Sequence, residues 1–365
     1  MDKEVKVVIG ANYGDESKGL VSFCLAKKAI LQGRKVLTVF YNGGCQRAHT
    51  ADGEIQHCVG AGYTVGSETH YDRMFMVDPI ALWLDQAKVS MDPNCRLVLP
   101  CDVSNNQRRE LEARKIGEDH GTCGMGIFEA CKRSLDTKNA LFASDIWSFI
   151  SVYDRLINIE KKYGYPRDVV YNNENFMRGI EWIRKHCQIC SLKESIRLNE
   201  ADTIIFEGGQ GLMLDQANKA DFPYLTPSSP GLHNITIRLY MLGVVPELYY
   251  VSRSYLTRHG KGPLEGECKK EDINSLIEDH TNEPNPWQGE LRYGFINPNT
   301  LHKRIRKDIS EFNGIRAEKN IVFTHLNYTD GKLAVGPDEF MAIEKPKFID
   351  HVYGSDKKDW MDVMA

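Results

Sequence analysis

Apolar, β-branched runs alternate along this chain with stretches of helical period. Residues 5–9 (VKVVI), 35–40 (KVLTVF), 203–206 (TIIF) and 320–323 (NIVF) read as short strands buried in a core. Residues 20–31, 147–161 and 176–185 carry apolar side chains at helical spacing. Strands that alternate with helices predict the α/β class: a central, mostly parallel sheet flanked by helices. Glycines follow several strands, at Gly10, Gly43-Gly44 and Gly208-Gly209. In such sheets ligands collect beyond the carboxyl ends of the strands. No repeat, low-complexity tract or clear linker interrupts the pattern. The expectation is therefore one domain over residues 1–365, with loop and helical insertions. Residues 279–287 (DHTNEPNPW) are polar and proline-rich and read as a mobile surface loop.

Composition narrows the picture only slightly. Lys plus Arg number 46 and Asp plus Glu 50, a formal charge of −4 over 365 residues. That balance argues against sequence-independent nucleic-acid binding, which depends on neutralising phosphates, but leaves room for a local cationic pocket. No apolar run approaches the roughly 18 residues of a membrane span, so no membrane partner is expected. The opening MDKEVKVV lacks a signal-peptide layout. The ten cysteines are scattered and read as reduced thiols, consistent with a cytoplasmic protein. Cys187 and Cys190 form a lone CxxC without the second pair that a zinc ribbon needs.

Candidate chemistry sits in the glycine-rich turns. In residues 10–19 (GANYGDESKG), Gly10 and Gly14 permit close backbone approach, and Lys18-Gly19 opens a helix. Free amides at a helix start attract phosphate oxygens, and Lys18 adds a point charge. An ordinary strand–turn–helix would look the same. Asp15 is the anomaly, because a carboxylate beside phosphates is repelled. A bound Mg²⁺ or a role as proton acceptor would offset that repulsion. Residues 41–50 (YNGGCQRAHT) supply Asn42, Gln46 and His49 after a strand. His49 suits polarisation of a phosphate oxygen, or a structural role. Residues 121–127 (GTCGMGI) form a small-residue turn before a helix and suit a monophosphate. Residues 206–211 (FEGGQG) and 257–263 (TRHGKGP) are two further turns of this kind.

Together and in this order, the turns resemble the adenylosuccinate synthetase family. That family carries GDEGKG, GG-x-NAGHT, GTTGRGIG, FEGAQG, YPYVTSSN and TRVGAGPFPTE. The corresponding segments here are residues 14–19, 43–50, 121–127, 206–211, 222–226 and 257–267. The resemblance implies a ligase that joins aspartate to a purine nucleotide in two steps. A nucleoside triphosphate first phosphorylates the 6-oxo group, and the aspartate amine then displaces that phosphate. It implies that Asp15 takes the purine N1 proton and, with Ala48, holds Mg²⁺. His49 and Lys18 would stabilise the transferring phosphoryl group, with Gln210 near the purine. Gly14, Ser17, Gly19, Asn42, Gln46, Thr122, Cys123, Thr226 and His259 would surround the nucleotide. The family is homodimeric, and Arg133 lies near the position of an arginine that reaches the neighbour's nucleotide phosphate.

Departures from the family pattern matter as much. The donor-base reader T-K-L-D-V appears here as Thr324-His325-Leu326-Asn327-Tyr328. Replacing the Asp by the amide of Asn327 removes the charged partner of guanine's two donors, a loss of about 1.5–3 kcal/mol. The same amide can face adenine, so ATP or dATP is the expected donor, with His325 and Gly354 beside its base. Ser17 replaces a Gly, Cys123 a phosphate-binding Thr, and Met125 an Arg. The aspartate loop TTGR-x-RR becomes residues 287–294, where Gly289 and a single clamp, Arg292, remain. The chain is also shorter than ordinary members. It looks like the phage branch, which condenses dGMP with L-aspartate toward 2-aminoadenine deoxynucleotide. A guanine acceptor disfavours a guanine donor, because the two would cross-inhibit. An IMP-using enzyme and a non-catalytic nucleotide-binding protein are the alternatives.

Overall fold

The structure is a computed structural model that describes residues 3–45, 49–51, 54–163, 172–278, 286–312 and 316–354. Its centre is a nine-stranded sheet. In chain order the strands are β1 (Glu4–Gly10), β2 (Val36–Phe40), β3 (Glu68–Tyr71), β4 (Ser90–Met91), β5 (Gln188–Ile189), β6 (Thr203–Gly211), β7 (Glu247–Arg253), β8 (Glu318–Thr324) and β9 (His351–Gly354). Their spatial order is β9-β8-β7-β1-β6-β2-β3-β4-β5. Each neighbouring pair is parallel. The expected α/β architecture is thus realised. Parallel strands need both faces covered, which explains their near-continuous apolar runs.

The two faces separate by strict alternation. Val7, Ile9, Ile204, Phe206 and Tyr250 point into one cluster. Val8, Ile205, Tyr249 and Val251 point into the other, where helix α1 (Lys18–Leu31) buries Val21, Leu25 and Ala26 against them. A third cluster lies under the far edge of the sheet, closed by the helices Phe149–Tyr163 and Asn173–His186. The first of these starts two residues later than the periodicity suggests, because Trp147 ends a separate 3-10 turn, Ala143–Trp147. All ten cysteines lie among the described residues, and none is joined in a disulfide. Among the described residues no helix is long and apolar enough to cross a membrane. Residues 279–285 of the expected surface loop lie outside the described residues.

This strand order decides where chemistry can occur. β1 lies between β6 and β7, and the strands all point the same way. The segments that follow β1, β2, β6, β7 and β8 therefore emerge along one edge of the sheet. Two further helices, α2 (Pro100–Lys115) and α3 (Ile127–Arg133), flank the glycine-rich turn of residues 121–126. α2 starts cleanly because Pro100 occupies its first turn and Asp102 Oδ2 accepts the Leu99 N–H at 2.8 Å.

Candidate active site

The turn after β1 is held from inside by Glu16. Its Oε1 accepts the N–H groups of Asn12 (2.9 Å) and Gly14 (2.8 Å), and its Oε2 accepts from Lys18 Nζ at 2.8 Å. Lys18 also donates to the Gly14 carbonyl. Both side chains are buried, so the charge of Lys18 is compensated beneath the turn. Gly14 has φ 126, a conformation that favours glycine. Ser17 is left-handed too, with φ 67, at the start of α1. Asp15 is held from outside the turn. Arg253, the last residue of β7, donates from Nη2 to Asp15 Oδ2 (2.5 Å) and from Nε to the Asp15 carbonyl (2.6 Å). Neither Glu16 nor Arg253 was singled out from the sequence. The spacing Glu16-x-Lys18 was a legible signal for the first, whereas Arg253 lies 238 residues from Asp15.

The turns after β2 and β6 interlock. The Gly209 N–H donates to Asn42 Oδ1 at 2.9 Å, which orients the Asn42 amide. Its Nδ2 then donates to Gln210 Oε1 at 2.7 Å. With its oxygen engaged, Gln210 has an NH₂ group to offer to a ligand. His49 is buried, and its Nδ1 lies 2.6 Å from Oε1 of the fully buried Glu207. The Ala61 N–H donates to the other carboxylate oxygen of Glu207 at 3.2 Å. Gly19 makes room for this histidine, since a Cβ there would sit 2.6 Å from the His49 Cβ. Gln46 and Ala48 lie outside the described residues.

Gly14, Asp15, His49, Gln210, Thr122, Cys123, Thr226 and His259 all line one cavity of about 990 Å³. Its outer wall is α2. There Glu110 accepts the Gly121 N–H at 2.6 Å, and Asn106 accepts the Gly126 N–H at 3.2 Å and the Thr122 hydroxyl at 3.3 Å. The turns at Gly121 and Gly260 touch so closely that a Cβ on Gly121 would lie 2.7 Å from the Gly260 Cα. Burial pushes the Cys123 thiol above its usual range, which keeps it neutral. Arg258 also lines the cavity, with its guanidinium 4.9 Å above the Tyr13 ring and bonded to the Tyr224 carbonyl at 2.9 Å.

Several expected site residues sit elsewhere. Arg133 is a correction. It is buried, pairs with both oxygens of Asp102 at 2.8 Å, and donates to the carbonyls of Asn139 (2.6 Å) and Leu97 (2.8 Å). A guanidinium whose Nε, Nη1 and Nη2 are all engaged inside the fold locks α3 onto α2, rather than standing exposed for a phosphate. Arg292 is likewise engaged, with Glu267 (2.7 and 2.6 Å) and with the carbonyls of Gly260 and Gly262 (both 2.9 Å). It is not among the cavity-lining residues, and neither is Gly289, whose neighbour Gln288 is. Lys18 is buried against Glu16 and is not among the cavity-lining residues. The donor-base residues form a separate group. His325 has φ 60 at the end of β8, Asn327 is exposed on the following turn, and Gly354 pairs with Phe323 at the end of β9. Thr324 links this group to the first turn by donating to the Glu16 carbonyl at 3.1 Å. The turn after β1 therefore stands between the cavity and the β8 end.

A parallel sheet whose strand-end turns converge on an acid, a carboxylate-backed histidine and an amide-oriented glutamine defines a nucleotide-binding α/β enzyme. The family model of adenylosuccinate synthetase matches residues 7–306. The chain belongs to that family, whose members are ligases that form a C–N bond to aspartate at the expense of a nucleoside triphosphate. The adenylosuccinate synthetase of Halothermothrix orenii is 27% identical over 333 residues, spanning 82% of this chain and 74% of that protein. The fully ligated adenylosuccinate synthetase of Plasmodium falciparum shares the fold at 18% identity and TM-score 0.71, over 89% of this chain and 77% of that one. The succinoaminodeoxyadenylate synthetase of cyanophage S-2L, solved with dGMP and dATP, shares it at 16% identity and TM-score 0.56, over 90% and 86%.

Proposed function

We propose that this protein condenses L-aspartate with the 6-position of dGMP, using ATP or dATP. The observation that carries the reading is the convergence of Asp15, Gln210 and the His49–Glu207 pair on one cavity, with the donor reader on the far side of the Asp15 turn. Asp15 takes the N1 proton, which makes O6 nucleophilic. O6 attacks the donor's γ-phosphorus, and the bond to the bridging oxygen breaks to release the nucleoside diphosphate. His49 and the Gln210 amide stabilise charge on the phosphoryl oxygens. The aspartate amine then attacks C6, inorganic phosphate leaves, and the surplus amine proton passes to solvent.

Asp15 fits a Mg²⁺ site, because it is a hard oxygen donor on the cavity wall and Mg²⁺ commonly takes only one or two carboxylates besides phosphates. Bound there, Mg²⁺ supplies charge neutralisation for the transferring group. The choice of dGMP rests on the donor reader. An exposed amide at Asn327, in place of a carboxylate, favours an adenine donor and so leaves guanine to the acceptor site. Guanine also presents N1–H and its 2-amino group side by side, a pair suited to one carboxylate such as Asp15. The fold shared with a cyanophage enzyme solved with dGMP and dATP is compatible with the same assignment. Retention of the family's acidic turn, together with the relationship to adenylosuccinate synthetases, favours IMP as the second reading.

The test is phosphate release with aspartate and ATP, using dGMP or IMP as acceptor, with the product weighed by mass spectrometry. Turnover with dGMP and little with IMP upholds the proposal. The reverse transfers the protein to the IMP reading, and phosphate release with neither leaves a binding protein.

A further inference from the structure

The sheet places Arg253 at a junction that the chemistry above does not use. β7 lies beside β1 and β8, and Arg253 is level with Thr324 in the β7–β8 register. On one side its guanidinium grips both the side chain and the main chain of Asp15, at 2.5 and 2.6 Å. Its Nη1 donates to the Tyr255 hydroxyl at 3.2 Å, and its Cζ lies 5.7 Å from the Tyr255 ring centre. On the other side the next residue, Ser254, donates from its hydroxyl to the His325 carbonyl (3.1 Å) and from its N–H to the Thr324 carbonyl (2.9 Å). Two consecutive residues thus hold the proton acceptor and the donor-base turn.

A carboxylate on a glycine-rich turn is ordinarily free to choose its rotamer. Contact with one side-chain oxygen and the residue's own carbonyl from one planar fork removes that choice. The Arg253 side chain is 4% exposed, so the fork is itself immobile. It also places a positive charge beside a carboxylate that must sit near phosphates.

We propose that Arg253 is a positioning residue that aims the Asp15 carboxylate at the acceptor and, through Ser254, ties that aim to the donor turn at His325. The inference rests on the ligase reading. A rigid fork of this kind controls alignment rather than binding, so its removal lowers turnover more than affinity.

The experiment compares wild type with Arg253→Gln, Arg253→Lys and Arg253→Gly in the phosphate-release assay, with direct binding of both nucleotides measured in parallel. Arg253→Gln is expected to lose about 100-fold in kcat, with KM for both nucleotides little changed. Arg253→Lys recovers part of that loss, because it restores the charge but not the fork. Added guanidinium ion rescues Arg253→Gly in a saturable way, a readout that a merely structural role would not give. Unchanged kcat overturns the proposal. So does a joint loss of turnover and nucleotide binding that guanidinium fails to restore. Absence of turnover in the wild type would instead sink the ligase reading, and this inference with it.

Discussion

Nδ1 of His49 lies 2.6 Å from Oε1 of Glu207, although 158 residues separate them in the chain. Glu207 is fully buried on β6, so its carboxylate is held without slack. A carboxylate at Nδ1 fixes the imidazole's tautomer and orientation, so the ring is held in place for a phosphoryl transition state.

Glu207→Gln should therefore reduce kcat by roughly 100-fold while nucleotide binding persists, and His49→Ala by more, since each removes stabilisation that develops only in the transition state. Steady-state kinetics beside equilibrium binding check this. An unaltered rate in both variants would leave the pair a structural one.

Asp15→Asn keeps the size of the side chain and removes its basicity. Turnover should vanish while nucleotide binding survives. Near-normal activity would exclude Asp15 as the proton acceptor.

Asn327→Asp restores a carboxylate to the exposed turn after β8. Its expected effect is a shift of kcat/KM from ATP toward GTP, on the scale of about 1.5–3 kcal/mol, the worth of a hydrogen bond to a charged group. A competition assay with both donors measures it. No shift would mean that this side chain does not read the base.

Asp308 makes a test of stability against pH. Its carboxylate accepts the Tyr250 hydroxyl (2.8 Å) and the Leu232 N–H (3.0 Å), but burial dominates and pushes its pKa from 3.8 to about 6. The folded state then holds the proton more tightly than the unfolded state. The resulting stabilisation is complete below about pH 4 and is lost as pH rises to about 6, at most about 3 kcal/mol. His70 acts in the opposite sense. Burial lowers its pKa from 6.5 to about 4, so its protonation destabilises the fold as pH falls across that window. Denaturant unfolding of Asp308→Asn against wild type between pH 4 and 7 isolates the first effect. A stability difference that does not change with pH would show that Asp308 does not titrate there.

Arg133→Ala should destabilise the fold by about 3–5 kcal/mol, because it strands the buried Asp102 carboxylate. The fraction that remains folded should keep its affinity for the acceptor nucleotide. A selective loss of nucleotide affinity with stability intact would return Arg133 to the binding site.

The glycine-rich turns, their order and the strands that precede them were legible because they are local. Backbone that must turn tightly after an apolar strand selects glycine within a few residues, as at Gly14, Gly43 and Gly121. Strand β7 was overlooked, although Tyr249, Tyr250 and Val251 are all buried in the core. Arg133 and Arg292 were read as ligands because an arginine's partner cannot be recognised from its neighbours. Asp102 lies 31 residues from the first and Glu267 lies 25 from the second.

Residue order alone thus settled the α/β class, the family and the set of turns from which an active site could be assembled, because these depend on local periodicity and backbone freedom. Which charges are spent internally and which face the cavity was decided by the fold. Lys18 turns inward to Glu16, Asp15 is gripped by Arg253, and His49 rests on Glu207. Partners of that kind meet only when parallel strands from distant parts of the chain come into register, and burial then makes each charge take the nearest opposite one.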